Sequence, residues 1–177
     1  MSTIKVNSIS DAAGANGNAI TLASDGTCTA KVTNNLSNRN LIINGAMQVA
    51  QRGSSSTSTG YTTVDRMKIS TGGVDEAVQT NWHNLTSSDT GPWEKGFRFS
   101  YYVKNGNQTG GAGAGDYVQI NHNLENQDIA SSGWNYNSTS SYITLSFWVK
   151  SSVAQNFYFN VKSHDGTQQN FPFETGS

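Results

Sequence analysis

The side chains with the most chemistry to offer are aromatic rings set among amides and hydroxyls. Trp134-Asn135-Tyr136-Asn137 lies in a polar loop, and Tyr142, Trp148 and Tyr158 fall on strand faces opposite the apolar ones. A ring covers the C–H face of a sugar while neighbouring amides meet its hydroxyls, so Trp134, Tyr136, Trp148 and Tyr158 are the candidate carbohydrate contacts. The alternative is that these rings pack under loops, against a second layer or in a subunit interface.

Other constellations carry less. Glycoside cleavage needs two acids facing each other roughly 5 to 10 Å apart. Glu125 and Asp128 (LENQD) form the one close pair beyond Asp75-Glu76 in a structured neighbourhood, and both read as loop acids. A polysaccharide depolymerase is therefore a further alternative, and no catalytic residue is expected. His83, His122 and His164 sit in three unrelated contexts without metal-ligand spacing and read as surface histidines. Gly110 to Asp116 (GGAGAGD) leads into a strand rather than a helix, so it reads as a mobile loop tip and not as a phosphate cradle. Asn44, Asp65 and Asp165 offer oxygens near strand ends but match no calcium loop. Neither a metal nor a cofactor is expected. The single cysteine, Cys28, excludes an intrachain disulfide framework and reads as a small buried apolar residue.

The elements that must hold these residues are strands. Of 177 residues, 34% are hydrophobic and 13% charged, so polarity comes from Ser, Thr, Asn and Gly, which suits β-structure better than helices. A net charge of −1 provides no basic footprint for nucleic acid. No apolar run approaches the ~18 residues of a membrane span, and the N-terminus has no signal-peptide pattern, so no membrane insertion and a soluble cytoplasmic product are expected.

The chain divides at Arg39 to Gly53 (RNLIINGAMQVAQRG). Before it, in residues 1–38, three short alternating patches carry Ile4, Val6 and Ile9, then Ile20 and Leu22, then Cys28 and Val32. Asp11 to Asn18 and Ser24-Asp25-Gly26 supply turns between them. Such an arm cannot offset its ordering entropy alone, so its apolar edge is expected to meet other copies around a threefold axis or a larger protein. Residues 39–53 read as a hinge and first strand, with Leu41 to Ile43 entering a sheet and Asn44-Gly45 bending it.

Residues 54–177 form the head. Strands are expected at Tyr61 to Ile69 with Met67 and Ile69 inward, Val74 to Leu85, Phe97 to Val103, and Tyr117 to Leu124 with Val118 and Ile120 inward. The clearest alternation is Tyr142 to Lys150, expected to pair with Asn156 to Lys162 across a short turn. About seven strands at this spacing predict an all-β fold, an antiparallel β-sandwich of jelly-roll type. Its C-terminal edge reads as incomplete, to be finished by a neighbouring chain or a longer one.

Several phrases carry a resemblance: STIKVNSI, ITLASDGTCTA, RNLIINGAMQVAQRG, GYTTVDRMK, QDIASSGW and ITLSFWVKSS. Nearly the whole chain resembles bacteriophage tail fibre proteins of the marine cyanobacterial type, departing from them at Met67, where an aromatic is frequent, and in the last strands of the head. The resemblance implies a structural protein of the virion, assembled in the host cytoplasm. It also implies a homotrimer whose N-terminal arm docks on tail, baseplate or adaptor proteins, and a head similar to carbohydrate-binding jelly rolls that contributes to attachment at host surface glycans.

Overall fold

The computed structural model describes residues 6, 8–10, 18–30, 40–106, 109–111 and 113–175. Ile4, Val32, the Asp11 to Gly17 turn and the 31–39 boundary lie outside the described residues. The fold is all-β: antiparallel sheets carry the chain, with two short helices between strands.

In the arm, β1 (Ser8–Ser10), β2 (Asn18–Leu22) and β3 (Cys28–Ala30) form one antiparallel sheet in chain order. Register explains its character. Ile9 pairs with Ile20, Ile20 with Ala30 and Leu22 with Cys28, so one face is apolar; Ser8, Thr21 and Thr29 share the other. A tight turn closes β2 onto β3, where Gly26 has φ +86° and the Asp25 carboxylate accepts from the Thr27 N–H at 2.9 Å and its hydroxyl at 2.7 Å.

The head follows as β4 (Ser55–Ser56), β5 (Met67–Gly72), β6 (Gln79–Asn84), α1 (Thr90–Glu94), β7 (Phe99–Lys104), β8 (Tyr117–His122), α2 (Asn126–Ser132), β9 (Asn156–Val161) and β10 (Gln169–Glu174). The sheets are β4-β6-β7, β5-β8 and β9-β10, all antiparallel. Val64, Met67, Ile69 and Val78 form the buried apolar core, and Thr63 and Thr80 are fully enclosed beside them. The Thr63 and Thr80 hydroxyls lie 3.5 Å apart, which keeps two buried polar groups partnered.

Several expectations are corrected. Leu41 to Ile43 is not a strand: residues 43–46 form a turn, with Asn44 at φ +58° and Met47 at φ +56°. Among the described residues Tyr142 to Lys150 joins no sheet; β9 pairs instead with β10, with Phe159 opposite Phe171 and Phe157 opposite Phe173. Alternation marks which side of a segment faces inward but not which strand lies beside it. Met67 and Ile69 do point inward, and the register puts Ile120, opposite Ile69, and Val118 on that same face, yet they stay 49% and 37% exposed because β8 is an edge strand that nothing described covers. Cys28 is exposed rather than buried, standing on the uncovered apolar face of the arm.

Candidate functional site

Two places concentrate interacting side chains, and they differ in kind. The first is a polar node that ties the chain near residue 44 to the start of β5. The Asn44 amide donates to the Val49 and Asp65 carbonyls, both at 2.9 Å, while its oxygen accepts from the Val49 N–H at 3.1 Å. The Asp65 carboxylate accepts from the Gln51 N–H at 3.2 Å and from Arg52 at 3.4 Å. The Trp82 indole N–H donates to the Met47 carbonyl at 2.7 Å, and its ring stacks on Phe99 at 4.4 Å. Asn is among the few residues that tolerate a left-handed backbone, so Asn44 supplies both the turn and its ties. Asn44 and Asp65 are thus spent within the chain, and among the described residues no group of acids, histidines and cysteine is placed to hold a metal ion.

The acid pair considered for catalysis belongs to the same region. Arg66, at φ +72°, reaches Glu125 with one guanidinium nitrogen and Asp128 at 3.4 Å with the other. Glu125 is a loop acid as expected, in extended backbone just before α2, whereas Asp128 lies in the helix's first turn; Gly133, at φ +75°, ends the helix in the left-handed conformation typical of such caps. The Arg66 hydrogen bond and charge hold the Glu125 carboxyl below the usual range. A general acid at a glycosidic bond needs the opposite displacement.

His122, opposite Met67 in the β5-β8 register, is not a surface histidine. Its imidazole is partly buried beside the backbone of Leu41 and Arg66, and among the described residues neither ring nitrogen makes a hydrogen bond of good geometry. Burial, followed by the nearby Arg66 charge, pushes its pKa down, so the ring is neutral. The glycine loop is also tied: the Gly110 N–H donates to Asp75 at 2.8 Å and the Gly113 N–H to Asp116 at 2.6 Å. Those amides already hold carboxylates of the chain itself.

The second place is aromatic. On one face of β9-β10, Phe157, Phe159, Phe171 and Phe173 form a continuous patch, and Phe147 packs on it at 5.4 Å from Phe173 and 6.4 Å from Phe159. Phe147, Phe159, Phe171 and Phe173, with Leu145 and Pro172, line an open apolar groove of about 340 Å³. Residues 142–150 run past this patch without a turn or bend, and every one is exposed.

The candidate sugar contacts are not gathered into one pocket. Trp134 and Tyr136 meet edge to face at 6.2 Å, but the Trp134 indole N–H is covered and has no partner among the described residues, which withholds its polar tip from a ligand. Tyr136 is exposed, as is Tyr158, which stands opposite Pro172 on the side of β9-β10 away from the phenylalanines. Trp148 is 56% exposed and seated on α1: a Cβ added at Gly91 would lie 2.6 Å from its ring. Gly91 and Asp89, neither of them a candidate site residue by sequence, together seat this part of the chain. Asp89 accepts from the Thr86 N–H at 3.0 Å and from Lys150 at 3.4 Å, and these, the backbone bond first, lower its pKa. A Gly-Pro step signals the end of a strand, and nothing local in TGPW marks it as a seat for Trp148.

These features define an all-β chain with uncovered apolar faces on its arm and on its last sheet. No family model, no curated protein and no solved structure matches it.

Proposed function

We propose that the chain is an attachment protein built from strands, specifically a structural component of a bacteriophage tail fibre. Its arm anchors the fibre to tail, baseplate or adaptor proteins as a homotrimer, and its head extends toward the host surface. The observation that carries this reading is the arm's sheet, apolar on one face through Ile9, Ile20, Leu22, Cys28 and Ala30, polar on the other, and open on both. Ile9 is 52% and Leu22 44% exposed in the single chain, and so thin a sheet does not stand alone in water. Wrapping three such faces around one axis covers them all; Val6, two residues before β1, is 42% exposed, and Ile4 and Val32 lie outside the described residues. The resemblance of the arm, the 39–53 stretch and ITLSFWVKSS to tail fibres supports the same reading.

The head is taken as a jelly-roll sandwich in which residues 142–150 belong to the layer facing β9-β10. Phe147, lying across Phe159 and Phe173, supports that placement. A second reading, a carbohydrate-binding module for host surface glycans, is favoured by the exposed rings of Tyr136, Trp148 and Tyr158. A depolymerase using Glu125 and Asp128 has no such support, because both acids are engaged by Arg66.

Light scattering on the full chain tests the fibre reading. Three chain masses are expected, falling to one in Leu22→Asp; a wild-type chain that stays at one mass across the micromolar range overturns it.

A further inference from the structure

The outward face of residues 142–150 has the features of a stacking strip. Ten residues from Ser141 onward contain no turn or bend, and Leu145 and Phe147 face the β9-β10 aromatics. Side chains alternate along such a run, so Tyr142, Thr144, Ser146, Trp148 and Lys150 share the opposite face. Tyr142 is 85% and Trp148 56% exposed. An extended chain rises about 3.3 Å per residue, which sets these two rings about 20 Å apart with two hydroxyl side chains between them.

Trp148 is held rather than loose. Its ring rests on the backbone at Gly91, where only a residue without Cβ leaves room. Beyond it, Lys150 is 3.4 Å from Asp89, so the cation at this end of the strip is matched by an anion. A strip that ends in a neutralised pair and offers ring faces and hydroxyls favours a neutral ligand over an acidic one. Strand pairing by a neighbour would use the edges of this segment and leave the face open.

We propose that this face binds an unbranched, neutral polysaccharide laid along the segment, with Trp148 and Tyr142 stacking on sugar rings at its two ends. Thr144, Ser146 and the Asp89–Lys150 pair meet ring hydroxyls between and beside them. The proposal rests on the attachment reading and narrows it: the ligand is a chain of several sugars, and Trp134 is not part of the contact.

Calorimetric titration of the full chain with two ladders, cellobiose to cellohexaose and maltose to maltohexaose, tests it. In at least one ladder the hexasaccharide is expected to bind tenfold or more tightly than the disaccharide. Trp148→Ala and Tyr142→Ala each remove at least tenfold of the hexasaccharide affinity with an unchanged circular dichroism spectrum. Gly91→Ala, which dislodges the ring while keeping it, does the same, whereas Trp134→Phe binds as the parent does. Absence of length dependence in both ladders, or full affinity in the Trp148 and Tyr142 variants, overturns the proposal. Failure here is separable from failure of the fibre reading: a trimer without length-dependent binding removes the strip alone, and a sugar-binding monomer removes the fibre alone.

Discussion

The node around Asn44 and the aromatic strip around Phe147 invert what their sequences suggest. Residues 40–66 alternate poorly and are full of turns, yet they lead into the best-buried part of the molecule, Val64, Met67 and Ile69. Residues 142–174 carry the cleanest alternation, yet Ile143, Phe147, Val149, Val161 and Phe171 remain 45% to 53% exposed. Alternation tells a segment which side to turn inward; a buried core also needs something on that side. In the first region polar side chains fold the backbone over its own apolar residues. In the second, Leu145 and Phe147 of residues 142–150 lie over that side but cover it only in part, and the rings stay half exposed.

Truncation on each side sharpens this contrast most. Ile69→Ala, at a site 1% exposed, is expected to cost about 3 to 4 kcal/mol in urea unfolding, whereas Phe171→Ala, half exposed, costs below about 1 kcal/mol in the isolated chain. Equal losses would mean that the aromatic face is covered in solution by another copy. Next comes Asn44→Ala, which removes the bonds to Val49 and Asp65 and places alanine at φ +58°. About 1 kcal/mol for each of three hydrogen bonds and a similar figure for the backbone give a loss near 4 kcal/mol. A loss under about 1 kcal/mol would show that the loop is held by its apolar contacts instead.

Much of the head was legible in advance, for stated reasons. Met67 and Ile69 read as inward, and Tyr158 as facing away from the apolar side of its strand, because period-two patterns report faces directly. Strand partners were not legible: β9 meets β10 rather than 142–150, since pairing depends on loops that carry no periodic signal. The NGAMQVAQRG phrase read as a bent strand because a left-handed asparagine that ties to residues 5 and 21 positions away has no local pattern. The exposure of Tyr136, Trp148 and Tyr158 was legible in their polar neighbours and strand faces. The seat of Trp148 on Gly91 and the Arg66 grip on Glu125 and Asp128 join residues more than 50 apart, which no spacing rule reaches.

A smaller effect follows from His122. Its folded pKa is depressed, so on acidification the unfolded chain takes up the proton first. The stability it contributes is complete above about pH 6.5, the ordinary histidine value, and drains as pH falls below it toward the folded pKa. The melting temperature should decline between about pH 7 and 5, and His122→Gln should flatten that decline; an equally steep slope in the variant assigns it to other groups. Smallest of all is Glu125→Gln. The pair with Arg66 is exposed, so the change in melting temperature should be slight at low salt and vanish in high salt. A large, salt-independent loss would make this pair part of the node's framework.

The reading as a whole rests on the arm's apolar face being covered by other copies, and the lone cysteine reports on it directly. Cys28 lies on that face beside Leu22, so its rate of reaction with a maleimide reads the cover in the native chain. In the assembled protein the thiol is expected to react at least tenfold more slowly than in Leu22→Asp or in denaturant. A native Cys28 that reacts as fast as the unfolded chain would leave the face open to water and contradict the trimeric arm.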